Sequence, residues 1–435
     1  MAGRRYLLAA MSGLVVACAG RGPRLAPVTP AEIPALKTQA RQQPNNAQVR
    51  FRLAAALMAA GQCDSAVSFA NAGTALAPAE ALGPMVIGGC QQKAGRYDLA
   101  FATYTDFVNK YPRAPRVGAV RALAELALRT QATQTAKLAL ASESTLTKLA
   151  PEPSTIAVLP VTIAGDSSLQ PLSRGLAELL MSDLALVRSL RLLERVQVGA
   201  LLDEMKLGQT GRADPRTAAR IGRLLRAERM VQGVAAITVN GPVRLSTTVV
   251  RGDGNVRSGA QVTGSFRQLL DLEKQLVFGL ASDLGIQLTE AERQRILRQG
   301  PKNLAAFLAY SNGLEALDRG DYRAATREFG AARRADPAFQ PAIAQQQVAA
   351  AAPAIVANPG NVMAFAPPAE VVGPLATEGT LQQGTLDVSG TIGDLTGGTI
   401  GTGIGTVSGN PTPESQGISS VIQASGILRI IFRRP

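Results

Sequence analysis

The chain contains no histidine and no tryptophan, aromatic residues make up 4% of it, and it has three cysteines. The lack of histidine removes the commonest general base and the commonest metal ligand together. It excludes His-dependent triads, and without a paired-cysteine motif there is no zinc-binding pattern. No Walker-type loop and no dinucleotide glycine fingerprint follows a strand pattern. These absences point to a protein with no catalytic residues, no metal and no cofactor; chemistry built on Asp, Glu, Lys or Tyr is the route left to an enzyme. Scarce aromatics supply few stacking platforms for single-stranded nucleic acid. The net charge of +13 is carried mainly by arginine, spread singly along helical patterns. Such a balance suits an anionic lipid surface or plain solvation better than nucleic acid.

The N-terminus gives the first positive signal. Met1 to Arg5 is short and basic, and Tyr6 to Ala17 is apolar and uncharged. That run is shorter than the about 20 residues a membrane-crossing helix needs, and it matches the apolar region of a secretory signal. It ends in Val15-Val16-Ala17-Cys18, which resembles the lipobox of bacterial lipoproteins. The resemblance implies removal of residues 1–17, acylation of Cys18, and stable anchoring by several acyl chains. Ala19 stands where an inner-membrane retention signal carries Asp, so the expected location is the outer membrane, facing the periplasm. An ordinary cleaved signal or an uncleaved anchor is the plainer alternative. Residues 18–44 form a spacer, rich in proline between Arg21 and Pro34. The remaining Cys63 and Cys90 fit either a disulfide or two buried thiols.

A repeat follows, within residues 45–150. Gly61, Ala66 and Pro78 recur as Gly95, Ala100 and Pro112, each displaced by 34 residues. The Gly ends one helix, the small Ala lets two helices approach, and the Pro closes the second helix. Tyr97 and Tyr104 are the bulky positions of the second copy, with Cys63 and Ala70 at the matching places of the first. A third copy lies in residues 301–350: Gly313, Gly320, Tyr322, Ala325, Phe329, Ala332 and Pro337. The period and these residues resemble the tetratricopeptide repeat, a helix–turn–helix unit that typically binds protein segments. Because so few units cannot bury a continuous core alone, Arg116 to Leu149 and Ala342 to Ala352 are expected to cap them.

Between the repeats, residues 154–290 alternate strand and helix patterns. Thr155 to Thr162 reads as one buried strand, and Leu176, Leu179, Leu180 and Leu184 make a helical stripe. Leu190 to Glu194 is a short strand and Val198 to Met205 a helix. Asp214-Pro215 opens another helix as cap and first residue. Three strands then run from Met230 to Phe266, with Asn240-Gly241 and Asp253-Gly254 as turns. A helix over Leu269 to Leu284 completes the order βαβααβββα. The expected fold class is an α/β domain with a mixed sheet, flanked by all-α hairpins. Glu194, Arg195, Asp203 and Glu204 are either ion pairs at a strand–helix junction or solvated charges, and Gly233 suggests a bulge or a close approach.

Leu192-Leu-Glu-Arg195, Leu201-Leu-Asp-Glu204, Ala218 to Leu225 and Met230-Val-Gln-Gly233 together resemble the curli-secretion (CsgG) superfamily. That superfamily also takes in TolB N-terminal-like and FlgO-like lipoprotein domains and a lipoprotein activator of penicillin-binding proteins. The resemblance implies envelope assembly or transport. Members of the secretion branch insert amphipathic hairpins that build a membrane barrel, whereas the hairpins here are short and charged at Arg244, Arg251, Asp253 and Arg257. Residues 353–435 turn to Ala, Pro, Gly and Thr with a loose Gly-Thr repeat, a composition that disfavours a packed core. Ile427 to Phe432 near the end reads as a strand able to join an open sheet edge or as an aggregation-prone terminus.

The expected function is a non-enzymatic outer-membrane lipoprotein adaptor, binding protein partners through its repeats and the membrane through its lipid. A ring-forming transport component and a regulator of a cell-wall enzyme are the alternatives, and homo-oligomerisation stays open.

Overall fold

In the computed structural model, which describes residues 28–206, 214–238 and 241–357, the repeat period becomes a physical unit. After α1 (Ile33–Gln42), the first helix pair is α2 (Ala47–Ala59) and α3 (Cys63–Leu76), and the second is α4 (Leu82–Lys93) and α5 (Tyr97–Lys110). Asn46 starts α2 by accepting the amide of Val49, satisfying a donor the helix itself leaves free. Gly61 and Gly95 take φ of +76° and +71° at the turns, a left-handed conformation glycine adopts without a Cβ penalty. Ala66 and Ala100 are fully buried, and Pro78 and Pro112 stand just beyond the last turns of α3 and α5.

The long α6 (Val117–Ala141) and short α7 (Glu143–Leu146) lead to the α/β domain. Its elements are β1 (Glu152–Val158), β2 (Thr162–Gly165), α8 (Leu172–Leu184), β3 (Arg191–Leu192), α9 (Arg195–Glu204) and α10 (Pro215–Leu224). They are followed by β4 (Ala227–Ile237), β5 (Pro242–Arg251), β6 (Val256–Ser265), α11 (Leu269–Asp283) and α12 (Glu290–Arg298). The sheet order is β3–β1–β4–β5–β6, with β2 also on β4. Strands β1 to β4 pair in parallel and β4, β5 and β6 antiparallel, so the sheet is mixed. Two details differ from the sequence expectation. The single strand expected over Thr155 to Thr162 is two, because Pro160 has no N–H to continue the ladder. β1 pairs with β4 at Ala157↔Met230, and β2 resumes on the same partner at Thr162↔Val234. Helix α12, opened by a Thr289–Glu292 capping box, was not anticipated.

Strand alternation gives the sheet two cores. Ile156, Val158 and Val231 face Leu176, Leu180, Leu276 and Leu280 of α8 and α11. Ala157, Met230 and Val250 face Leu201, Leu202, Ile221 and Leu224 of α9 and α10, joined there by Ala136 and Ala139 of α6.

The third pair is α13 (Leu304–Asp318) and α14 (Tyr322–Ala335), followed by α15 (Gln340–Ala357). Gly320 has φ +74°, Ala325, Phe329 and Ala332 are buried, and Pro337 follows the end of α14. The two blocks were expected to be capped separately; instead their caps pack on each other. Helix α15 lies against both α14 and α6. Val348 and Ile355 enter the core that holds Val120, Leu123 and Ala127, and Arg121 donates to Gln347 at 2.5 Å. The physical reason is that each cap buries one apolar face and leaves another uncovered. Repeats separated by an entire domain in sequence thus share one helical layer.

Candidate functional site

The repeat residues first set how the helices of each pair meet. A Cβ on Gly88 of α4 would strike the ring of Tyr104 of α5, and one on Gly313 of α13 would strike the ring of Phe329 of α14. In the first pair the relation is inverted: Gly73 of α3 lies under the ring of Phe51 of α2. Each hairpin therefore seats one aromatic ring on one glycine, which fixes its crossing. Cys63, Tyr97 and Tyr322 are the first residues of α3, α5 and α14. Cys63 is joined to Cys90 by a disulfide with Cα atoms 5.5 Å apart, tying the first pair to the second. Cys18, Val15 to Ala17, Asn240 and the strand expected at Ile427 to Phe432 lie outside the described residues.

Of the residues that unite the three parts of the molecule, only Arg195 was singled out by the sequence. Asp318 ends α13 and is gripped from three sides. Its Oδ1 accepts from Arg129 of α6 at 3.0 Å, and its Oδ2 accepts from Arg174 of α8 at 2.6 Å and Arg195 of α9 at 2.9 Å. Arg129 is also held by Glu125 at 2.8 Å and Arg195 by Glu178 at 3.2 Å. The first repeat block, the α/β domain and the third repeat thus converge on one carboxylate.

Burial disfavours the Asp318 charge, but Arg195, Arg129 and Arg174 outweigh it and hold the carboxyl well below the usual range. Burial likewise opposes the charge on Arg195, and Asp318 and Glu178 overcome it. Glu194, which precedes α9, is pushed up to about 8 by burial and by the charges of Glu178 and Glu125. Beside the cluster, a cleft of about 310 Å³ is lined by Arg129, Arg174, Arg195, Gly199 and Asp318 among others. Of the two readings of the strand–helix junction, ion pairing holds for Arg195, with partners that lie outside the junction. Arg195, the first residue of α9, pairs with Glu178 of α8 and Asp318 of α13, while α9 itself packs on α6. Asp203 is exposed, and Glu204 reaches Lys137 of α6 at 3.8 Å.

A second buried charge group sits wholly inside the α/β domain. Lys274 of α11 lies 2.5 Å from Asp183 of α8 and 3.2 Å from its neighbour Glu273. Asp183 and Glu273 are 0% and 1% exposed, and Asp183 Oδ1 and both carboxylate oxygens of Glu273 have no hydrogen-bond partner. Burial raises both carboxyls, and the charge of Asp183 raises Glu273 further. Gly233 faces the same layer: a Cβ there would strike Val161 between β1 and β2, the close approach its place in a strand implied.

Among the described residues no group of three or more His, Cys, Asp or Glu is placed to hold a metal ion. No helix among them is long and apolar enough to cross a membrane.

Comparison with known proteins gives one domain-level match. Residues 129–239 match the family model described as the curli production assembly/transport component CsgG. The matched segment begins at Arg129 in α6 and ends beyond β4, before the β5–β6 hairpin. No curated protein matches the chain. Among solved structures, the crystal structure of yeast Tom70 is similar at 13% identity and a TM-score of 0.21, over 71% of this chain and 59% of that one. The chain thus spans 59% of the Tom70 chain. The helical-hairpin description rests on the glycine–ring contacts and turn geometry, not on that likeness.

Proposed function

We propose that the protein is a non-enzymatic, lipid-anchored adaptor of the bacterial outer membrane that binds protein partners in envelope assembly or secretion. The observation that carries this reading is the convergence on Asp318 of both repeat blocks and the α/β domain. A scaffold that presents helical hairpins in fixed relation to a CsgG-like segment suits recruitment rather than turnover. The Cys18 anchor would hold it at the membrane; the end of the expected spacer is not free chain, because α1 within it buries Leu36 and Ala40 in the repeat core. Crosslinking in intact envelopes followed by purification is expected to recover a reproducible set of envelope proteins. Recovery of none would sink the adaptor reading. Replacing Cys18 by Ser is expected to release the protein from membranes; a variant that stays with them after a high-salt wash would remove the lipid anchor.

The family match also favours a second reading, a transport component that assembles as a ring. Its β5–β6 connection is a tight turn at Asp253-Gly254, with Gly254 at φ +90°, leaving no long insertion at that point. Mass measurement in detergent separates the two, since a monomer or dimer ends the ring.

A further inference from the structure

We propose that the outer face of α14 is a docking face for an anionic membrane surface, recognised through the phosphates of its headgroups. Arg323, Arg327 and Arg334 follow one another at spacings of four and seven residues. On a helix those spacings place them within about 40° of each other along about 16 Å. All three are exposed, and none makes an ion pair or side-chain hydrogen bond with the described residues. This contrasts with Arg52, Arg116, Arg220 and Arg226, each of which meets a carboxylate. The stripe continues past the end of the helix. Lys302 donates its amide to Asp336 at 2.6 Å and Asn303 donates to the carbonyl of Ala335 at 2.7 Å. These bonds bring exposed Lys302, whose ammonium donates to the carbonyl of Arg298 at 3.0 Å, beside the C-terminal turn of α14.

Little acidity offsets this face. Glu328 is turned about 100° or more from the stripe. Asp321 is occupied by the amide of Ala324 and Asp336 by those of Lys302 and Ala338. The opposite side of α14 is committed to the core through Ala325, Phe329 and Ala332, so the helix cannot turn to offer an apolar face. The stripe lines none of the clefts described above, and recognition of a peptide would want a groove for its side chains. A row of guanidinium groups on a helix surface instead matches a sheet of phosphates, which arginine binds in a forked geometry. The inference does not depend on acylation of Cys18.

The test uses the full chain carrying Cys18→Ser, purified without lipid and sedimented with vesicles. Vesicles of phosphatidylglycerol mixed with phosphatidylcholine are expected to bind it, and phosphatidylcholine alone is not. Binding should fade as salt shortens the screening length. Each cation near an anionic surface contributes about fivefold in affinity, so R323Q/R327Q/R334Q together should lower it about 100-fold. The control is R41Q/R96Q/R113Q, which removes the same charge from exposed sites elsewhere and is expected to leave binding nearly unchanged. Equal loss in both triple variants, or no preference for phosphatidylglycerol, overturns the proposal. Tighter binding of soluble polyglutamate than of phosphatidylglycerol vesicles at matched charge would also overturn it, assigning the face to an acidic protein. Loss of binding in the α14 variant alone, with an unchanged circular dichroism spectrum, supports it.

Discussion

The molecule buries two groups of charges and treats them differently. Around Asp318 each carboxylate oxygen is met by a guanidinium, and the three arginines come from three different helices. Around Lys274 two carboxyls share one ammonium, and one oxygen of Asp183 and both of Glu273 are left without a hydrogen bond. The first group joins parts of the chain that are far apart in sequence; the second lies between two helices of one domain. A desolvated ion pair recovers its cost only when its geometry is good and its remaining atoms are satisfied. The Asp318 group meets that condition, so its geometry can specify how the repeats sit on the α/β domain. The Lys274 group meets it in part, and burial shifts both of its carboxyls towards the protonated form.

The largest test of this difference removes Asp318. Asp318→Ala strands three partly buried arginines, and loss of one partner from a buried pair costs about 3–5 kcal/mol. Urea unfolding should show that loss together with a broader or split transition, because the layers lose their common tie. Limited proteolysis should then cut within 299–303, between α12 and α13. A variant that unfolds like the parent would mean that apolar packing of α6 on α15 alone sets the arrangement.

Substitution in the second group is expected to act differently and by less. Glu273 holds a proton more tightly than an ordinary glutamate, so Glu273→Gln is a near-neutral replacement at pH 4. The variant should become the more stable as pH rises from the ordinary glutamate value towards 8, since over that range the unfolded parent gives up a proton that the fold retains. Identical stability of parent and variant across that range would show that Glu273 is already ionised at neutral pH.

The same signs give the whole protein a pH profile. The Asp318 pKa is lowered in the fold, so its contribution is present above the ordinary aspartate value and lost as pH falls through that range. The Glu194 pKa is raised to about 8, so its contribution is present below the ordinary glutamate value and declines as pH rises towards 8. Thermal unfolding should therefore be most resistant on the acid side of neutrality. Glu194→Gln should raise Tm at pH 8 and leave it unchanged at pH 4; parallel curves for parent and variant would refute the assignment.

Much of the fold was legible because it is written in local periodicity. The 34-residue spacing located two hairpins and the same residue template a third, since glycine turns and closing prolines act within a few residues of themselves. Pro160 also carried its message, a break in the ladder, although an unbroken apolar run hid it. The charge groups were partly legible. Glu273 falls on the stripe of Leu269, Leu272, Leu276 and Leu280, Asp183 on that of Leu176, Leu179 and Leu180, and Asp318 on that of Phe307, Tyr310 and Leu314. A carboxylate on a buried stripe announces a partner, but nothing local says which. Arg129, Arg174 and Arg195 lie 189, 144 and 123 residues from Asp318, and only the completed fold brings them together. The packing of α15 on α6 was illegible for the same reason, since two alanine-rich helices carry no mark of their mates.

The smallest expected effect separates burial from mere bridging. Glu143 of α7 and Arg220 of α10 also link the helical layer to the α/β domain, through two bonds of 2.7 Å. Their side chains are 30% and 44% exposed, however, so water screens the pair and competes for it. A double-mutant cycle on Glu143→Gln and Arg220→Gln is expected to give a coupling of about 0.2–1 kcal/mol, shrinking as salt is added. The corresponding cycle on Asp318→Asn and Arg195→Gln should give a coupling several times larger and less sensitive to salt, because those groups are enclosed. If the exposed pair coupled as strongly as the buried one, the link between layers would depend on forked geometry rather than on desolvation. The role given to Asp318 would then be shared by every arginine–carboxylate bridge across that boundary.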